Sequence, residues 1–227
     1  MPVHKPALGV LLNVAVFGLL LFPPARTLIW WRAWLLLGVV LVAAAATLLV
    51  VLRDRPGLLS ERFQPPIQEG QPLADKVMAL SFLAAFLVQT VFVPLDVFRF
   101  HLMSRPGPLV SGFGLALFAA GWGLIGLALR ENAFAAPVVK HQRERAHAVV
   151  SSGVYGVVRH PMYAGGALLA IGLPLWLESY AALLLASVPI ATLAARIMAE
   201  ERFLRRELEG YGAYTERTRY RLVPFLW

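Results

Sequence analysis

Residues 109–129 read LVSGFGLALFAAGWGLIGLAL, 21 residues without one charged side chain. A helix needs roughly 20 predominantly apolar residues to cross the hydrocarbon of a bilayer, so this stretch predicts a transmembrane helix. It has company. Leu28–Leu52 and Val77–Phe98 are as long, while Ala7–Phe22 and Tyr163–Leu177 are short and Tyr180–Met198 is interrupted. Only Glu178-Ser179 separates the last two runs, and Pro174 and Pro189 lie inside them. Backbone groups freed by a proline in a membrane need protein or a cavity to satisfy them. That pair therefore predicts a helical hairpin, kinked or not fully spanning. The expected fold class is all-α, a polytopic integral membrane protein with about five to six transmembrane helices.

The composition agrees. Of 227 residues, 59% are apolar and 15% charged, against about 45–50% and 25% in soluble domains, which excludes a conventional soluble enzyme. Without cysteine there is no disulfide framework, no thiolate zinc site and no cysteine nucleophile. The net charge of +8 reports Lys and Arg facing the cytoplasm and anionic lipid, with no nucleic-acid partner expected. Threading the chain through six passages puts Arg26, Arg32, Arg99 and Arg105 on one side and the remainder of the 21 Lys and Arg on the other. By the positive-inside bias both termini and the loop over 130–160 are expected in the cytoplasm. The start of the chain has the basic residue Lys5 and an apolar middle, as a signal peptide does. A second spanning run follows so closely, past Pro23-Pro24, that an uncleaved first helix is expected.

Polar groups beside a membrane are expensive and mark candidate sites. One cluster is Tyr155-Gly156-Val157-Val158-Arg159-His160-Pro161-Met162-Tyr163-Ala164-Gly165. Pro161 suits the first turn of a helix, whose free N–H groups and positive dipole end would face a ligand. A second is Arg196 with Glu200 and Glu201, where Arg196 and Glu200 share one helix face and could form a plain interfacial ion pair. The third is the tail from Tyr211 to Pro224, whose bland explanation is a basic end on anionic lipid with aromatic anchors. Two other patterns lack their context. Gly121-Trp122-Gly123-Leu124-Ile125-Gly126 fits the dinucleotide fingerprint, but inside an apolar run without a βαβ unit it predicts helix packing. His141, His147 and His160 show no metal-ligand spacing, so no metal is expected.

Taken together the clusters resemble the isoprenylcysteine carboxyl methyltransferases, membrane enzymes related to phospholipid N-methyltransferases. The likeness runs from His147-Ala148-Val149-Val150 through Tyr155 and the Arg-His-Pro-Met-Tyr-Ala-Gly stretch to Glu200-Glu201, Tyr211, Tyr214, Arg217 and Pro224. It covers residues 137–224; the earlier helices match only in being hydrophobic.

The resemblance implies binding of S-adenosyl-L-methionine in a cytoplasmic pocket closed by the C-terminal segment. The implied cofactor contacts are His147, Ala148, Val149, Val150, Tyr155, His160, Pro161, Met162, Tyr163, Glu200 and Glu201. A further family contact falls on Lys140, which departs from the expected glutamine and leaves room for a backbone contact only. Arg196 would hold the substrate carboxylate, with Glu200 beside it as the second catalytic residue. The implied division is residues 1–106 for the acceptor and lipid side and 107–227 for the methyltransferase core. Carboxyl O-methylation of an isoprenylcysteine-like group is the closest activity, with the ethanolamine headgroup of a phospholipid as the alternative acceptor. A transporter or scaffold would place charges in mid-membrane; here they gather at one face. Lipidic or prenylated acceptors and membrane lipids are the expected partners.

Overall fold

The computed structural model describes residues 4–54, 73–132 and 149–227. Its long helices are α1 (His4–Ala25), α2 (Trp31–Asp54), α3 (Leu73–Leu95) and α4 (Pro108–Glu131). A π-helical turn, Asp96–Phe100, extends α3, and a short 3-10 turn, Gly153–Gly156, precedes α5 (Pro161–Trp176). Then come α6 (Tyr180–Leu185), α7 (Ser187–Glu207) and α8 (Tyr211–Arg217). Among the described residues there is no strand. Five stretches are long and apolar enough to cross a membrane, namely Ala7–Ala25, Trp31–Val50, Asp75–Phe100, Pro108–Glu131 and Tyr180–Glu207. The all-α membrane fold expected from sequence is the fold observed. The sixth run, α5, has 16 residues and is therefore about 24 Å long.

Glycines bring α4 and α5 into close antiparallel contact. A Cβ on Gly121 would lie 2.7 Å from the Gly165 carbonyl oxygen, and one on Gly172 would lie 2.6 Å from that of Gly114. Without a hydrophobic drive between helices in lipid, such close backbone approach is what associates them. Gly121 of the fingerprint-like run thus serves packing, as its apolar context predicts. Around this pair Phe118, Leu173 and Leu177 join Leu21 and Leu36 in the buried core.

The hairpin is interrupted, though not where Pro189 stands. Its ring would meet the carbonyl four residues earlier, so the helix breaks upstream: Ala186 N–H donates to Leu183 instead of Ala182. Pro174 stays inside α5 and frees the Ala170 carbonyl. The amide of Gln89, on α3, repairs both breaks, with Nε2 donating to Ala170 O at 2.7 Å and Ala182 O at 3.1 Å. At the end of the bundle away from the candidate site, Arg32 lies 4.8 and 4.6 Å from the ring centroids of Trp31 and Trp176 and pairs with Glu178 at 2.9 Å. That clamp fixes the α5–α6 connection, so α5 and α7 keep their relative depth.

Candidate active site

The lower half of α7 carries Arg196, Glu200 and Glu201 beside the start of α5, as Ala164 packing on Ile197 requires. Residues 196 and 200 share a helix face, and residue 201 turns about 100° away from 200. The two glutamates consequently meet different neighbours.

Glu201 is buried and multiply held. Its Oε1 accepts from Arg159 Nε at 2.7 Å and contacts His160 Nε2 at 3.2 Å, and its Oε2 accepts from Arg221 Nε at 3.1 Å. Arg159 also donates through Nη1 to the Thr218 and Arg219 carbonyls, each at 2.8 Å. Backbone bonds from Arg159 N–H to Tyr220 O and from His160 N–H to Arg221 O lay the tail alongside this turn. The tail is anchored from the other side by Tyr214, whose hydroxyl donates to the Tyr155 carbonyl at 2.8 Å. Tyr211 and Tyr214 are 4% and 2% exposed and pack with Leu208, Val149 and Leu204. They are therefore not the lipid anchors that the bland account of the tail required. Burial, reinforced by Tyr155, pushes the Tyr214 hydroxyl up to about 12, and burial raises Tyr211 as well.

Glu200 is only half-buried and takes a hydrogen bond from Tyr163 Oη at 2.5 Å. The Tyr163 ring stacks on that of His160, with centroids 5.5 Å apart and planes 12° from parallel. Across the ring, Arg196 Cζ stands 5.6 Å from its centroid. Arg196 is 9% exposed and donates through Nε to Asp75 Oδ1 at 2.9 Å. Asp75 falls just before the apolar run Val77–Phe98 and so outside the helix expected there; the structure has it buried in the first turn of α3. An acid in the first turn of an apolar helix was the only signal, and the helix dipole ordinarily explains such a residue.

The structure thus gathers Tyr155, His160, Pro161, Met162, Tyr163, Arg196, Glu200 and Glu201 at one end of the bundle, with Val149 nearby and Val150 half-buried on the approach. Lys140, His147 and Ala148 lie outside the described residues. One expectation needs correction. The helix start was to offer free backbone donors, but His160 N–H is taken by Arg221 O, and the N–H groups of Tyr163 and Ala164 close on His160 O. The polar contacts at 163 and 200 are made by side chains, Tyr163 Oη and the Glu200 carboxylate.

The family profile described as phospholipid methyltransferase matches residues 110–210, from α4 to just past α7. Protein-S-isoprenylcysteine O-methyltransferase B of Arabidopsis thaliana is 31% identical over 116 residues, covering 48% of this chain and 56% of that protein. The chain resembles the isoprenylcysteine carboxyl methyltransferase family. The likeness spans little more than half the length of that relative. The same fold appears in the eukaryotic intramembrane Ras methyltransferase ICMT, with a TM-score of 0.56, 21% identity, and coverage of 92% of this chain and 74% of that one. The matched profile takes in Arg159, His160, Arg196 and both glutamates. Asp75 and the tail from Tyr211 onward lie outside it.

Proposed function

We propose that this chain transfers a methyl group from S-adenosyl-L-methionine to a lipid-linked or hydrophobic acceptor, with the site at the cytoplasmic face of a membrane. The favoured reaction is carboxyl O-methylation of an isoprenylcysteine-like group. What carries it is Arg196, a buried guanidinium beside the half-buried Glu200, at the end of the bundle where the motif residues meet. The residues fit the cofactor at one point in particular: the half-buried Glu200 carboxylate suits its cationic and hydroxyl groups. When bound, the cofactor supplies an electrophilic methyl on a sulfonium with a neutral leaving group. Such a displacement needs alignment and exclusion of water more than acid–base machinery.

The chain's own residues supply the alignment. Asp75 and the Tyr163 ring fix the guanidinium of Arg196 in place to orient an acceptor carboxylate, which needs no base because it is already ionised. Glu201, through Arg159 and Arg221, holds the tail over the site and keeps water out. Residues 1–106 would select the acceptor. The second acceptor, an ethanolamine phospholipid, is favoured by the phospholipid methyltransferase profile; there Glu200 would accept the amine proton.

Labelled methyl transfer by purified protein, with a prenylcysteine analogue and phosphatidylethanolamine offered in parallel, decides between them. Base-labile label on the first establishes a methyl ester, and base-stable label on the second an N-methyl group. No label on either, together with no cofactor binding in a titration, overturns the reading.

A further inference from the structure

The turn over residues 223–227 displays its apolar side chains outward. Just before it, Leu222 is buried against Ala164 and Ile197, with Leu124 and Tyr163 packed alongside. Leu124 and Ile197 belong to stretches of α4 and α7 long and apolar enough to cross a membrane, so Leu222 packs directly on the spanning part of the bundle. Beyond it the chain closes on itself. The N–H groups of Arg221, Leu222 and Val223 all donate to the Trp227 main-chain oxygen, at 2.9, 3.0 and 3.2 Å, and Trp227 N–H returns to Val223 O at 3.1 Å. The Arg221 guanidinium lies 5.3 Å from the centroid of the Trp227 ring.

This closure holds Phe225 at φ +66°, a left-handed conformation that bulky residues avoid. The outcome of that strain is that Phe225 is 89% and Leu226 80% exposed, with Val223 half-exposed beside them. In water such a display would be unfavourable twice, in backbone and in solvation. Next to acyl chains the solvation term reverses. Arg217 and Arg219 are exposed just upstream, where anionic headgroups would neutralise them.

We propose that the turn is a lipid anchor, in which Val223, Phe225 and Leu226 enter the leaflet beside α4, α5 and α7 while Arg217 and Arg219 meet its headgroups. The inference rests on the fold and stands apart from the methyl-transfer reading. It has a consequence for the candidate site, because residues 218–221 supply the carbonyls that receive Arg159 and His160 and the Arg221 side chain that reaches Glu201. Immersion of the turn therefore tethers the segment that covers the site.

The chain has no cysteine, so Phe225→Cys gives a single attachment point for an environment-sensitive fluorophore. In nanodiscs of phosphatidylcholine and phosphatidylglycerol the label at 225 is expected to be quenched by lipids carrying a nitroxide on the acyl chain and protected from iodide. A label on Gly212→Cys, exposed on α8 with open space around it, is expected to show the reverse. Because the fluorophore is itself apolar, an unlabelled variant gives the second test. Leu226→Asp in the same nanodiscs is expected to speed tryptic cleavage after Arg219 and Arg221 about tenfold or more, from the lost burial of one large apolar side chain. An iodide-accessible label at 225, or an unchanged tryptic rate, overturns the anchor. So does formation of disulfide dimers by unlabelled Phe225→Cys, which would give the patch to a second copy of the chain.

Discussion

Glu200 and Glu201 are adjacent in sequence and opposite in circumstance. Glu200 takes a hydrogen bond from Tyr163 in a half-open position; Glu201 is 4% exposed and is held by Arg159, His160 and Arg221. Glu200→Gln should therefore fold normally and weaken cofactor binding about 10- to 100-fold, the worth of a charge-assisted hydrogen bond, as read by calorimetric titration with S-adenosyl-L-methionine. An unchanged dissociation constant would take Glu200 out of the site. Glu201→Gln should instead unsettle the fold. It leaves Arg159, whose side chain is 4% exposed, without its counter-charge, and breaking a buried pair in this way costs about 3–5 kcal/mol. The expected signs are a lower thermal midpoint in detergent and a tail that trypsin removes. A Glu201→Gln protein as stable as the parent would show that the carboxylate is not the hub it looks to be.

At the scale of elements, the α4–α5 contact makes a sharp comparison between two glycines. Gly172→Ala drives a methyl group to 2.6 Å from the Gly114 carbonyl oxygen and the Phe118 nitrogen, both backbone atoms, which cannot swing aside. A loss of about 1–3 kcal/mol is expected. Gly123→Ala meets nothing within 4 Å and should be neutral or slightly stabilising through helix propensity. Thermal denaturation of the two variants checks both. In α8 the raised Tyr214 hydroxyl links the tail to pH. A group whose folded value lies above its unfolded one stabilises below the unfolded value and loses that contribution as pH rises through the folded value. Between about pH 10 and about 12 the Tyr214–Tyr155 bond should fail and the tail loosen. Tyr214→Phe should be weaker at neutral pH and should lack this alkaline step, as followed by tyrosinate absorbance and proteolysis.

At the scale of the molecule, the membrane class and every long helix were legible in sequence, because uncharged runs such as 109–129 have one structural outcome in lipid. The motif residues at 155–165 and 196–201 were legible too, and they do meet. What stayed hidden depends on partners far away in the chain. Asp75 finds Arg196 across 121 residues, and Gln89 serves Ala170 and Ala182 across 81 and 93. No local spacing announces such pairings. The division of labour between the two glutamates was equally hidden, since it is set by where residues 218–221 return to the turn at 159–160.

The short α5 has a consequence in the mechanics of the bilayer. At 16 residues it falls about 6 Å short of a typical hydrocarbon thickness, while α4 beside it runs on past the Gly121–Gly165 contact to Glu131. Yet α5 has no exposed residue along its length, so its shortfall is met by protein and not by lipid. The depth of His160 and Tyr163 is therefore set by the helices packed around α5. Bilayer thickness should then leave the site unmoved: the proposed methyl transfer is expected to run at equal rates in nanodiscs of short-chain and long-chain phosphatidylcholine, and a rate that rises as the bilayer thins would show that acyl chains reach α5.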